Sequence, residues 1–269
     1  MSDTTTTYDL SERDPEFIRQ TLPIVRLYTD TWHRADVRGL KHLKGIEGAL
    51  LVGNHSGGLT PPDAPVLALA IMKRYGVARP LFLLAHDILF LAPGSSVLRK
   101  WGIMPATRAN AIAAMRKGGA VIVFPGGDRE CFRPTSEQGT IDLAGRHGFV
   151  DTALTAGVPI VPFVSIGAQE TQWFLSRGEW IGRYNPLRER LRSPLWPLSF
   201  GFPFGLSVGG FPPNLPLPSK ITTQVLAPID LRQQFGSKPD RDVVYEHVRE
   251  VMQKALDRLV AGRRLPVIG

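Results

Sequence analysis

The sequence predicts an α/β fold in which a mostly parallel central sheet is flanked by helices, and three observations carry that expectation. From residue 49 onward short apolar runs alternate with helical patterns, as they do when crossover helices join neighbouring parallel strands. The run at 120–124 is apolar without alternation, the pattern of a strand buried on both faces. A hydrophobic content of 43% in 269 residues supplies a sizeable core, and neither an internal repeat nor a sharp break in composition marks a second domain.

Taken in order, residues 1–14 are polar and are expected to form a flexible N-terminal tail ahead of a single domain over 15–269. Residues 16–33 set Phe17, Ile18, Leu22, Val25, Leu27, Tyr28 and Trp32 among Arg19 and Arg26, a helical pattern weakened by Pro23. Packing on the core is the expectation for this helix, with an amphipathic helix lying on a membrane as the alternative. Residues 49–52 read as a strand, 64–74 as an apolar helix, 81–85 as a strand, and 108–117 as a helix closed by Gly118. The buried strand at 120–124 is followed by a helix over 149–155 and a strand over 160–164. Residues 184–218 differ in texture. They hold eight prolines among Trp196, Phe200, Phe202, Phe204 and Phe211, beside Arg183, Arg188, Arg190 and Arg192. An irregular segment of this kind suits a membrane interface, and equally a long loop packing its aromatics on the core. A strand over 220–229 and a helix capped by Asp240 and ended by Gly262 complete the chain, the helix with an apolar stripe of Val244, Val248, Val251, Ala255 and Leu259.

Composition narrows the function. Lys and Arg exceed Asp and Glu by 32 to 24, a net charge of +8, so an anionic partner is expected. Nucleic acid, an anionic bilayer and a phosphorylated substrate all satisfy the sign. The single cysteine, Cys131, excludes an internal disulfide framework and is read as a small buried hydrophobe, with a nucleophile as the alternative. The N-terminal residues lack a basic and apolar leader and no run is long enough to span a bilayer, so a cytoplasmic protein is expected. Walker, dinucleotide-glycine, CxxC and HExxH patterns are absent from the sequence. Gly205-Leu206-Ser207-Val208-Gly209 matches the serine-hydrolase elbow, but the prolines that follow cannot form the helix an elbow serine must lead into.

Two strand ends carry chemistry, and parallel sheets gather ligands outside the carboxyl ends of their strands. After 49–53 comes Asn54-His55, then a glycine- and proline-broken stretch reaching Asp63. After Phe124 comes Pro125-Gly126-Gly127-Asp128-Arg129-Glu130. Imidazole titrates near working pH, and a carboxylate beside it fixes its tautomer and stabilises its charged form. A hydroxyl-activating base is the first expectation, a histidine bonded only to its own turn the second.

In order, Asn54-His55 with Asp63, Gly102-Ile103-Met104-Pro105-Ala106-Thr107-Arg108, Phe124-Pro125-Gly126-Gly127-Asp128-Arg129 and Val158-Pro159-Ile160-Val161-Pro162 resemble the four-block signature of the glycerolipid and lysophospholipid acyltransferase superfamily. The whole-chain layout looks most like the actinobacterial-type phospholipid or glycerol acyltransferases. The resemblance implies a glycerol-3-phosphate acyltransferase-like fold and transfer of a fatty acyl group from acyl-CoA or acyl-ACP to a lipid hydroxyl. It makes His55 the general base and Asp63 the group that orients it. Arg108 and Arg129 fall on arginines linked in the family to the acceptor's phosphate, and Gly126, Gly127 and Asp128 share the substrate turn, with glycine N–H groups as donors to an oxyanion. No bound cofactor, metal or nucleic acid is implied; the partners are the acyl thioester, the lipid acceptor and the inner face of the cell membrane.

Two departures stand out. The family spacing His-x4-Asp places Thr60, not an aspartate, after His55, and here the aspartate comes at His-x7-Asp. In the third block Gly126 replaces the usual glutamate and Asp128 the usual threonine, a Pro-Gly-Gly version closer to the branch that acylates mono- or diacylglycerol. A thioesterase using the same His-Asp pair, and a non-catalytic lipid-binding protein, are the alternatives.

Overall fold

The computed structural model describes residues 7–91, 93–184 and 195–269. Its strands are β1 (Asp36–Arg38), β2 (Ala49–Gly53), β3 (Leu81–Ala85), β4 (Ile103–Pro105), β5 (Ala120–Val123), β6 (Ile160–Ile166), β7 (Trp173–Ser176), β8 (Leu198–Gly201), β9 (Gly205–Val208) and β10 (Thr222–Val225). Seven of them form the central sheet in the order β1-β10-β6-β2-β5-β3-β4, and β7-β8-β9 form a separate sheet. From β6 to β4 every pairing is parallel. β10 runs antiparallel to β6, and β1 parallel to β10. The mostly parallel sheet that the sequence predicts is therefore present.

Around it lie α1 (Pro15–Arg26), α2 (Asp63–Tyr75), α3 (Ser95–Lys100), α4 (Arg108–Arg116), α5 (Asp128–Cys131), α6 (Gly148–Ala156), α7 (Glu179–Gly182), α8 (Leu231–Phe235) and α9 (Arg241–Ala261). Successive strand residues face opposite ways. Leu50 and Val52 accordingly pack with Val121, Ile160 and Val164 against α4, α6 and α9. Ala49 and Leu51 pack with Ile122, Val161 and Phe163 against α1 and α2. Covering both faces is what allows β2 and β6 to be buried along their whole length, with Ser165 their one polar side chain.

Several expectations are corrected in detail. The described part of the supposed tail is anchored: Tyr8 is buried, its N–H donates to Asn110 Oδ1 (3.1 Å) and its hydroxyl to Arg99 O (2.7 Å), because its ring finds an edge contact with Phe82 in the core. The helix over 15–26 runs through Pro23 and continues in π geometry over Leu27–Trp32. β10 is shorter than 220–229, since Pro228 has no N–H for a ladder and pairing resumes only as a bridge between Ile229 and Ile160. The stripe on α9 is Val244, Val248, Met252, Ala255 and Leu256, because a 3.6-residue period carries the buried line past Val251. Of the segment expected to be irregular, 185–194 lies outside the described residues, and 195–218 holds β8 and β9. Its Pro197 and Pro203 sit at strand ends, where no ladder N–H is required. Ser207 of the discarded elbow lies within β9, and the chain runs on into a Gly209-Gly210 turn. No helix among the described residues is long and apolar enough to cross a membrane.

Candidate active site

β2 ends at Gly53, where a Cβ would sit 2.0 Å from the Phe163 ring; only glycine lets the strand end and that ring pack together. Asn54 follows, fully buried, with Nδ2 donating to Ser165 O (2.9 Å) and Oδ1 accepting from Ser165 N (2.8 Å). Its side chain completes the pairing of β2 with β6 and fixes the point at which His55 leaves the sheet. β5 ends alongside β2, so Phe124 and the glycine turn emerge at the same edge.

His55 lies flat on Phe124, ring centroids 4.2 Å apart and planes 17° from parallel. Its Nδ1 is 3.0 Å from Asp63 Oδ2. The stretched spacing thus closes. Gly57 and Gly58 take positive φ, the chain doubles back, and Asp63 arrives as the first residue of α2 while Thr60 is left exposed. Asp63 is completely buried; Oδ2 also accepts from Ser56 N (2.8 Å) and Oδ1 from Ala64 N (2.8 Å). A carboxylate held in this way takes the Nδ1 proton as a hydrogen bond and leaves Nε2 to receive one. The imidazole keeps 17% of its side-chain surface exposed, enough for a substrate hydroxyl to reach it.

A second group of side chains holds the loop from below, and sequence reasoning missed all of them as site residues. Glu130, fully buried, accepts from His55 N (2.9 Å) and Asp142 N (3.0 Å). Arg133, equally buried, donates to His55 O (3.1 Å), to Ser56 Oγ (3.0 Å) and to Thr140 O, and lies 3.8 Å from Glu130. Gln169 accepts from Gly57 N (3.0 Å) and donates to Arg133 O. Cys131 gives its thiol to Gly58 O (2.9 Å) and accepts from Gly58 N at its own carbonyl. One signal was available: Glu130 and Arg133 stand three apart, one in the short helix that follows the glycines and one just past its end.

The electrostatics follow from burial and pairing. Burial opposes charge on His55, but the Cys131 sulfur and the Asp63 carboxylate more than offset it, and the imidazole pKa is raised well above its ordinary value. Burial pushes Glu130 up to about 7 against the pull of Arg133 and the two N–H donors.

The remaining expected site residues are not all brought together. Gly126 is required for space, since a Cβ would meet Asp142 O and Glu130 Cγ at 2.4 Å. Gly127 has φ +53° and its N–H donates to Phe124 O (3.1 Å). It is therefore already engaged and not a free oxyanion donor; among the described residues Gly126 N–H has no such bond. Asp128 accepts from Arg146 Nη2 (3.1 Å). Arg129, half exposed, is held by Asp142 (2.9 Å) and Glu179 (3.4 Å). Arg108 is exposed and donates to Thr155 Oγ1 (3.3 Å) on α6. It follows β4, three places from β2 in the sheet, roughly 14 Å away at the usual strand spacing.

The chain is similar to several known proteins. The sequence profile of the Acyltransferase family matches residues 34–166, the stretch from just before β1 to the end of β6. A Mycobacterium leprae protein is 32% identical over 258 residues, covering 93% of this chain and 67% of that protein. A Mycobacterium tuberculosis protein is 32% identical over 257 residues, covering 93% and 69%. The mouse DGAT1/2-independent enzyme synthesizing storage lipids is 29% identical over 197 residues, 73% of this chain and 57% of the mouse enzyme. The crystal structure of the 1-acyl-sn-glycerophosphate acyltransferase PlsC from Thermotoga maritima superposes with a TM-score of 0.55 at 19% identity, over 92% of this chain and 84% of that one. That last likeness is one of fold.

Proposed function

Because this chain belongs to the glycerolipid acyltransferase superfamily, we propose that it moves a fatty acyl group from an acyl thioester, acyl-CoA or acyl-ACP, to a glycerolipid hydroxyl, with His55 as general base. The observation that carries this reading is the 3.0 Å contact of His55 Nδ1 with a fully buried Asp63. Nε2 takes the proton as the hydroxyl oxygen attacks the thioester carbonyl; the C–O bond forms, the C–S bond breaks, and His55 returns the proton to the departing sulfur. Asp63 stabilises the imidazolium between the two transfers, and Gly126 N–H is the proposed donor to the oxyanion. The proton balance closes on these residues without a bound cofactor.

The acceptor we propose is a neutral acylglycerol. Arg129 is already held by Asp142 and Glu179, and Arg108 is turned to Thr155, so a phosphate would have to displace existing partners. The Pro-Gly-Gly turn and the similarity to an enzyme named for synthesizing storage lipids point the same way. Such an acceptor resides in a bilayer, since taking a chain of about 16 carbons into water costs over ~10 kcal/mol. The protein accordingly works at the cytoplasmic membrane surface, where a charge of +8 favours anionic lipid.

Thiol release from acyl-CoA, measured against monoacylglycerol, diacylglycerol, glycerol-3-phosphate and lysophosphatidate, tests the proposal. Release should depend on an added acylglycerol and fall at least ~100-fold in His55→Ala. Release indifferent to every acceptor would instead mark hydrolysis of the thioester by water and overturn it.

A further inference from the structure

The small sheet is sorted the wrong way round for a face in water. In an antiparallel sheet with one covered side, apolar residues turn inward and polar residues outward. Here Ser199 and Ser207 are the buried members of β8 and β9, while Phe200 and Leu206 stand 52% and 55% exposed. β7 adds Trp173 at 64% exposed and Leu175 at 48%. The register aligns these side chains, Trp173 opposite Phe200 and Phe200 opposite Leu206, so they form one continuous row across three strands.

The apolar surface continues beyond the strands. Phe202 and Phe204 at the β8–β9 turn are 61% and 58% exposed, and Phe211 after β9 is 68% exposed. Trp32 joins it from the end of the first helix by donating its indole N–H to Pro216 O (2.9 Å). From Trp196 to Ser219 no residue carries a charge. A patch of this extent marks a docking surface.

Its position identifies the occupant. The loop between His55 and Asp63 rests on this sheet: a Cβ on Gly58 would lie 2.6 Å from the Phe174 ring, and one on Gly210 2.4 Å from Leu59. Leu59, at the tip of that loop, is 50% exposed. We propose that the outer face of β7-β8-β9, together with Leu59, is the surface on which the protein docks to a lipid bilayer, bringing His55 to the level of membrane-borne acyl chains. This rests on the acyl-transfer reading for its choice of lipid over another protein. The charge agrees with that choice: the uncharged face belongs to a chain of net charge +8, and exposed Arg183 stands near Trp180 and Tyr184, which are 63% and 88% exposed. Aromatic rings with arginine beside them are the composition that settles at headgroup depth.

The test uses the full chain and a triple variant, Trp173→Ser with Phe200→Ser and Leu206→Ser. Binding to phosphatidylcholine vesicles containing phosphatidylglycerol is measured by co-sedimentation, and acyl transfer is measured with a vesicle-borne acceptor and with a water-soluble short-chain acyl-CoA and acceptor. The variant should bind vesicles at least 10-fold more weakly and lose vesicle-borne activity in proportion, while its soluble-substrate rate and melting temperature stay those of the wild type. Brominated lipid should quench tryptophan fluorescence in the wild type and less in Trp173→Phe. Vesicle binding unchanged in the triple variant overturns the proposal. So does a wild type that ignores vesicles but forms a dimer the variant lacks, which would make the face an interface between copies. If vesicle binding is lost as expected but no acyl transfer occurs with any substrate, the docking surface stands and the catalytic reading falls.

Discussion

The two sheets of this protein sort their side chains by opposite rules. In the large sheet, β2 and β6 are buried throughout and apolar but for Ser165, and both faces are covered by helices. In the small sheet, the serines of β8 and β9 are inside with Phe174 of β7, while Trp173, Leu175, Phe200 and Leu206 are outside. The first arrangement is explained by folding alone, because burial of those side chains is what stabilises the chain. The second is not, because side chains with about half or more of their surface in water stabilise little; the proposed bilayer contact supplies its reason. The loop from His55 to Asp63 joins the two, rooted in β2 at one end and resting on Phe174 and Gly210 of the small-sheet region through Gly58 and Leu59.

The largest expected effect lies at that junction. His55→Ala should lower kcat/KM for acyl transfer at least ~100-fold, the order set by loss of a general base, with a circular-dichroism spectrum and melting temperature close to the wild type. If the variant instead loses its fold along with its activity, His55 is holding the loop together and the division of labour between the two regions fails.

Next comes a direct contrast between the sheets. Leu51→Ala, fully buried in β2, should destabilise by about 2–5 kcal/mol in urea unfolding, the cost of a large core truncation. Leu206→Ala in β9 should stay within about 0.5 kcal/mol, as exposed substitutions do. Equal losses would mean that the outer face of the small sheet contributes to folding after all.

A third effect is read in the pH profile. In the proposed mechanism the neutral imidazole is the active form, and its pKa is raised by its neighbours, so kcat/KM should rise with pH through a midpoint above the ordinary imidazole value of 6.5. Asp63→Asn removes one of the groups that raise it. The midpoint should then move to lower pH even as the maximal rate falls. A profile that loses rate without shifting its midpoint would separate Asp63 from the titration of His55.

How far the sequence discloses these features depends on where each one's partners lie. β2, β3, β5 and β6 are legible because each contains a short, mostly apolar run, which is a local pattern. β8 and β9 are not, since an outward-facing apolar row between prolines imitates a loop. His55 and Asp63 stand eight residues apart with recognisable chemistry, and only the closure of their loop had to be seen in three dimensions. Glu130 and Arg133 gain their meaning from the backbone of His55, 75 and 78 positions away, and Asn54 from Ser165, 111 positions away. Those bonds exist because β2, β5 and β6 are neighbours in the sheet, a fact of topology that no local spacing records.

The smallest effect expected is at Arg129, where resemblance and geometry part. The resemblance implies a phosphate contact, yet the guanidinium already bridges Asp142 and Glu179 with about half of its side chain in solvent. Ion pairs this exposed are worth about 0–1 kcal/mol. Arg129→Ala should therefore change melting temperature little and alter kcat/KM for a neutral acylglycerol by less than ~3-fold, which at 1.36 kcal/mol per tenfold corresponds to under ~1 kcal/mol. Asp142 keeps its backbone bond to Glu130 in that variant, so the support beneath His55 is undisturbed and any change reports on the acceptor. A loss of ~30-fold or more confined to glycerol-3-phosphate or lysophosphatidate would show that phosphate does displace the two carboxylates. The catalytic reading of His55 would survive that result, and the preference for a neutral acceptor would not.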